Sequence, residues 1–246
     1  MNGSQYLTLI VVVVIAVGCA GPQASVHEAI KASPQDKLPR RVLLLPPDIR
    51  VHELSVGDVA EKVDEWTRSA NQAATEVARE MESSGQHFNI VELPPLSADN
   101  QLLLEQYGAL YELVMFSAYA AQTSPFPAWQ ERAGRFDYTL GPGLARLREH
   151  TQADGALFVV GTDYISTAGR KAAMAMGILF GAATGVYAGP SGAPTFLSVG
   201  VVDLQTGNVA WFATEFQVGN RDLRKKGDVD SMVRELFSKY PSAMPK

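Results

Sequence analysis

Cysteine is almost missing from this chain: its 246 residues include one, Cys19. No disulfide can form within a single copy, so stability has to come from a buried core rather than from covalent staples. Positive charge is scarce too. Lys and Arg number 21 against 26 Asp and Glu, a formal net charge of -5, and the longest basic cluster is Arg224-Lys225-Lys226. That leaves no electrostatic footprint for neutralising phosphates, so nucleic acid is excluded as a partner. The cluster itself reads as a solvated turn before a C-terminal helix.

Catalytic signatures are equally sparse. There is no G-x-S-x-G elbow, no H-E-x-x-H and no G-x-x-x-x-G-K-[ST], and Gly141-Pro142-Gly143 does not continue into a dinucleotide fingerprint. The four histidines, His27, His52, His87 and His150, lack the spacing of metal ligands. No metal, no cofactor and no enzymatic activity are expected. Asp163 beside Tyr164, at the end of an expected strand, is the best isolated polar candidate for a site, although Asp at a strand end most often serves a turn or a cap.

Long hydrophobic runs are short of what a bilayer needs. Residues 7–17 are apolar except for Thr8, shorter than the roughly 20 residues of a spanning helix. The run has the length of a signal-peptide core, and it ends in Ala16-Val17-Gly18-Cys19, small residues placed just ahead of the one thiol. This resembles the lipobox of bacterial lipoproteins. The resemblance implies cleavage before Cys19, acylation of its thiol (palmitate or a similar chain) and of the new N-terminus, and a firm multi-chain anchor. Ala16 stands where the family usually has Leu, and no Lys or Arg precedes Leu7. Ala20 after the cysteine is not the Asp associated with inner-membrane retention, so the resemblance implies the periplasmic face of the outer membrane. Residues 1–18 are then the signal peptide. Residues 19–40, mixing Pro, Ser, Gln and charges without an apolar period, read as acylated Cys and flexible tether.

Residues 41–246 read as one α/β domain. Val42 to Leu45 before Pro46-Pro47 is a short apolar run suited to a strand buried on both faces. From Ser55 to Ser84, Val56, Val59, Val63, Trp66, Ala70, Ala73, Val77 and Met81 recur three or four apart, predicting a long amphipathic helix. A strand over 88–93, helices over 99–122 and 144–151, a strand over 156–165, a hairpin of 196–203 with 208–217, and a last helix over 228–240 complete the pattern. The expected fold is a single mixed sheet with long helices packed on it, parallel where helices cross over and antiparallel at the C-terminal hairpin. A Gly/Ala-rich insert occupies residues 169–192.

The segments Ala153-Asp154-Gly155-Ala156-Leu157-Phe158-Val159-Val160-Gly161 and Val202-Asp203-Leu204-Gln205-Thr206-Gly207-Asn208-Val209-Ala210-Trp211 resemble those of the curli-secretion-channel-like envelope lipoproteins. The fold of that group resembles the N-terminal domain of TolB and the peptidoglycan-synthase activator lipoproteins. The resemblance covers roughly 41–217. Each motif also has a plain structural cause: Thr206-Gly207 suits a tight turn, Asp203 can cap it, and Trp211 can pack on the sheet. The chain lacks the long membrane-crossing hairpins of the secretion channels, which argues against a pore.

The insert is the second notable feature. Residues 172–188 carry no charge, and Gly177, Gly181, Gly185 and Gly189 stand at a strict four-residue period. On a helix they would line one face, a glycine zipper open to another backbone, with Arg170 and Lys171 at a lipid boundary. Three readings follow: a segment folded on its own domain, a self-association face, or membrane insertion, for which 17 residues is at the lower limit. The functional expectation is a periplasmic lipoprotein that acts by binding, as a component or accessory of an envelope assembly or secretion system, as a homo-oligomer. The alternative is a monomeric adaptor regulating a cell-wall or envelope enzyme.

Overall fold

The computed structural model describes residues 22–83, 88–123, 131–132, 134–219 and 221–241; Cys19 and the signal-peptide expectation lie outside the described residues. In chain order the elements are β1 (Gln23–Val26), a 3-10 turn (Glu28–Ile30), α1 (Pro34–Lys37), β2 (Arg41–Leu44), β3 (Asp48–Leu54), β4 (Ala60–Lys62), α2 (Asp64–Ser83), β5 (Asn89–Glu92) and α3 (Ala98–Thr123). A second 3-10 turn (Pro142–Leu144), α4 (Ala145–Thr151), β6 (Gly155–Ser166), α5 (Ala168–Thr184), β7 (Pro194–Asp203), β8 (Val209–Val218) and α6 (Lys226–Phe237) follow.

One eight-stranded mixed sheet results, in the order β1-β8-β7-β6-β2-β5, with β3 paired to β6 and β4 paired to β3. β6 is its axis. Successive side chains of a strand face opposite ways, so Leu157 and Val159 enter the core under α2 and α6, while Ala156, Phe158 and Val160 enter the core under α3 and α4. Helices cover both faces, which is why this strand reads as a continuous apolar run.

Pro46-Pro47 splits what would be one long neighbour of β6 into two. Proline has no N–H to donate, so β2 pairs with the first part of β6, Val42 to Leu44 against Gly155 to Leu157, and β3 resumes against Val160 to Ser166. The second piece, β3, is a departure from the expected helix beginning at Ser55. Val56 and Val59 instead occupy the exposed β3–β4 turn, where Asp58 adopts a left-handed conformation (φ +59°), and the helix begins at Asp64. The three- and four-residue spacing of Val56, Val59 and Val63 copies the helical period by coincidence. From Ala70 onward the same period is real, since Ala70, Ala73, Ala74, Val77 and Ala78 are all buried against the sheet.

The expected flexible tether over 19–40 also needs correction. β1 pairs antiparallel with β8, Gln23 opposite Thr214 and Val26 opposite Trp211. The His27 and Glu28 N–H groups continue the docking by donating to the Ala210 and Phe136 carbonyls at 3.0 and 2.8 Å, and Leu38 is buried in the core. Backbone hydrogen bonds order this segment, and they leave no side-chain period to read.

The C-terminal hairpin follows expectation. Asp203 Oδ1 accepts from the N–H groups of Gln205 (2.9 Å) and Thr206 (2.7 Å) and from the Thr206 hydroxyl. Trp211 is fully buried, edge-on to Tyr240 and stacked near Phe237.

Candidate functional site

The four glycines of the insert do not share one helical face. Gly177 and Gly181 lie within α5, Gly185 is its left-handed C-cap (φ +79°), and Gly189 lies beyond it on a returning segment. That return folds back over the helix. A methyl group on Gly177 would stand 2.9 Å from the Gly189 Cα and 2.9 Å from the Tyr187 ring, and one on Gly181 would meet the Tyr187 backbone at 3.4 Å. The small residues are therefore small because Tyr187 and Gly189 of the same chain pack on them. Tyr187 is held there by its hydroxyl, which donates to the Pro190 carbonyl at 2.6 Å.

Arg170 is a correction of the same kind. It does not meet headgroups: its side chain is buried. Nη1 donates to the Ser55 carbonyl (2.9 Å) and to Asp58 Oδ1 (2.5 Å), and Nη2 donates to the Ser191 carbonyl (2.9 Å). One guanidinium thus ties the start of α5 to the β3–β4 turn and to the end of the return segment, using the fixed fork of donors that lysine lacks. Lys171 alone of the pair stays exposed.

The rest of α5 presents the opposite surface. Met176, Ile178, Leu179 and Phe180 are between 53% and 66% exposed, with no charge among them. Around its base lie other exposed apolar groups: Val56 and Val59 in the β3–β4 turn, and Phe216 and Val218 at the end of β8. They share one end of the sheet, because β7 starts and β8 finishes there (Pro194 opposite Val218, Phe196 opposite Phe216) and β3 and β6 finish there (Leu54 opposite Ser166). Leu113 and Phe116 of α3 border Phe196 and Phe216 at a shallow groove on the flank. Among the described residues no helix is long and apolar enough to cross a membrane.

A separate cleft of about 610 Å³ opens beyond the carboxyl ends of β2 and β5, lined by Leu45, Pro46, Leu93, Leu104 and Phe158, with Asp48 and Glu105 as its ionisable groups. Its chemistry suits an apolar group that hydrogen-bonds at one edge. No nucleophile stands beside a base in it.

Asp163 is a structural tie. It is fully buried, Oδ1 accepting from the Thr195 hydroxyl (2.6 Å) and Oδ2 from the Leu223 N–H (2.8 Å), so it joins β6 to β7 and to the loop before α6. Burial raises its carboxyl above the ordinary range, and the two donors oppose that rise. The histidines that the structure describes do not meet. His27 Nδ1 accepts from the Ala29 N–H at 3.1 Å, His52 stacks on Tyr164, and His150 bonds its own helix at the Arg146 carbonyl. His87 lies outside the described residues. Among the described residues no group of three or more His, Cys, Asp or Glu could hold a metal ion.

Sequence reasoning missed Tyr187 and the Arg170 clamp. The only available signal was the Arg170-Lys171 pair and Tyr187 at the two ends of an uncharged glycine-rich run, and none of them names its partner.

No protein-family model and no curated protein matches the chain. Among solved structures, it is similar to the PelC dodecamer from Paraburkholderia phytofirmans, with TM-score 0.36 and 9% identity over 89% of this chain and 97% of that one. A point variant of the same dodecamer gives TM-score 0.38 and 10% identity over the same shares. Lipoprotein GNA1162 from Neisseria meningitidis gives TM-score 0.30 and 14% identity, covering 82% of this chain and 97% of that one. At these values no residue role passes from either protein to this chain.

Proposed function

We propose that the chain is a lipoprotein anchored through acylated Cys19 at the periplasmic face of the outer membrane, and that it acts by binding, as a component or accessory of an envelope assembly or secretion system. The observation that carries this reading is the coincidence of the single cysteine with the end of an apolar leader, Ala16-Val17-Gly18-Cys19, followed only four positions later by β1. A secreted domain that begins immediately after an acylated residue is held at the membrane. Its exposed α5 and its cleft are surfaces for recognition, and neither gathers a reacting constellation.

The test is direct. The mature protein, extracted from membranes and weighed intact by mass spectrometry, carries the mass of acyl chains on a peptide beginning at Cys19. Cys19→Ser moves the protein from the membrane fraction to the soluble periplasm. An unmodified N-terminal peptide from a cleaved, soluble wild type overturns the reading.

A further inference from the structure

The direction of β1 decides where the anchor emerges. β1 runs antiparallel to β8, with Gln23 opposite Thr214 and Val26 opposite Trp211. The N-terminal end of β1 therefore points toward the end of β8 that carries Phe216 and Val218. Cys19 is four residues from Gln23, and at about 3.5 Å per residue it stays within roughly 14 Å of that strand end. An anchor at Cys19 is therefore within reach of the end that carries α5.

That end is also where the large apolar side chains are exposed. Apart from Leu102, Leu110, Leu113 and Phe116 on α3, every large hydrophobic exposed among the described residues lies on α5, on its return, in the β3–β4 turn or at the end of β8. A cluster of this kind marks an interaction surface. Arg170 fixes the base of α5 through Ser55, Asp58 and Ser191, and Tyr187 and Gly189 cover its small-residue face. What remains facing outward is Met176, Ile178, Leu179 and Phe180.

We propose that this end of the domain is a second membrane contact: α5 lies in the interface of the same leaflet that receives the Cys19 acyl chains, with its apolar face among the lipid tails and headgroup boundary. The inference rests on the lipoprotein reading above. The occupant is the bilayer, because the anchor delivers lipid to this end within a few residues' reach, whereas nothing comparable directs a second copy there. α5 is not long and apolar enough to span, but at 17 residues it is long enough to lie in the interface. Insertion of four large apolar side chains adds buried apolar area to the multi-chain anchor on Cys19. It also fixes orientation: the strand ends and the cleft beside β2 and β5 are presented at a set height above the lipid, instead of swinging on a long tether.

The chain's lone cysteine makes the test clean, since Cys19 is consumed by acylation and any introduced thiol is unique. Leu179→Cys and, at the other end of the sheet on α4, Glu149→Cys are labelled with an environment-sensitive dye on the acylated protein, reconstituted into phosphatidylethanolamine/phosphatidylglycerol vesicles with and without nitroxide-bearing phospholipid. The expected result is blue-shifted emission at position 179 and several-fold stronger quenching by the nitroxide lipid than at position 149. Equal, water-like emission at both positions overturns the proposal. A blue shift at 179 without lipid quenching also overturns it and assigns the face to a neighbouring copy. If the parent protein takes up dye at Cys19 itself, the anchor reading fails, and that outcome is distinct from a wet α5 on a properly acylated chain.

Discussion

Arg170 joins three separate stretches of chain through one guanidinium. It is buried, and its partners Ser55, Asp58 and Ser191 come from the β3–β4 turn and from the segment that follows α5. Hydrogen bonds to a charged group are worth about 1.5–3 kcal/mol each in mutational series, so Arg170→Ala is expected to destabilise the fold by about 2–3 kcal/mol. Its local signature is protease cleavage within 168–193, since the clamp holds that excursion to the domain. Arg170→Lys rescues little, because an ammonium cannot satisfy three carbonyl and carboxylate oxygens set in the plane of a fork. Glu215 gives a pH prediction. It is buried, Oε1 lies 3.7 Å from Arg221 Nη2, and burial raises its carboxyl above its ordinary value of 4.5 despite that neighbour. The folded state thus holds a proton that the unfolded state releases earlier. The contribution is fully present below pH 4.5 and is lost as pH rises through the higher folded value. Glu215→Gln should flatten this part of the stability profile and stabilise the protein relative to wild type at neutral pH. Urea denaturation across a pH series checks it, and parallel profiles for the two proteins refute it. Gly207, at φ +74°, leaves no room for a side chain: a Cβ there would stand 1.9 Å from the Gly141 carbonyl oxygen. Gly207→Ala should lower the melting temperature, by a free energy above about 1 kcal/mol.

Among the elements, β1 and α5 are the two whose roles differ from their composition. β1 is short, half-buried and poor in apolar residues, yet it closes one edge of the sheet. The His27 N–H donates to the Ala210 carbonyl, and by the alternation of an antiparallel ladder Ser25 faces Phe212 as another hydrogen-bonded pair. The Ser25 hydroxyl also accepts from Gln122 Nε2 of α3 at 2.9 Å. Ser25→Pro removes the donor at that pair and is expected to open residues 22–40 to proteases, with a cost of about 2–3 kcal/mol read by chemical denaturation. α5 teaches the opposite lesson. A Gly181→Leu substitution, which the glycine period recommends as a probe of self-association, strikes Tyr187 of the same chain. Its effect would report damage to the return segment, and substitution at exposed Leu179 is the informative probe. α2 and α3 were both legible as helices, but the face was legible only in α2 from Ala70 onward: Leu110 and Leu113 of α3 are exposed, and its buried side is Tyr111, Met115, Ala118 and Ala121. β3 was not. Pro46-Pro47 looks like the end of a strand, and here it is an interruption within one neighbour of β6. The turn chemistry of Asp203 and Thr206-Gly207 was legible in full, since a side-chain cap acts within a few residues.

At the scale of the molecule, the three-layer arrangement sets the strand ends apart. One end holds the β7–β8 turn and α4; the other holds α5 and the β3–β4 turn, and the N-terminal end of β1 points toward it. A chain anchored at the second end turns its first end away from the membrane, whereas the cleft, beyond the carboxyl ends of β2 and β5, opens on the side of the second end. Detergent extraction followed by sedimentation separates the component reading from the monomeric adaptor: a mass several times that of one mature chain supports an assembly, and a single-chain mass favours the adaptor. The sequence by itself determined the local and the periodic features: the buried face of α2 from Ala70, the apolar first half of β6, and a hairpin turn closed by its own side chains. Each rests on groups a few residues apart, or on a repeat that any packing partner would reward. Only the tertiary structure decided that residues 23–26 join the sheet and Leu38 the core, that Arg170 is an internal clamp, and that Tyr187 packs on Gly177 and Gly181 of α5. Those outcomes depend on contacts between distant segments, backbone pairing above all, and a backbone N–H or carbonyl carries no mark in the sequence of the partner it will find.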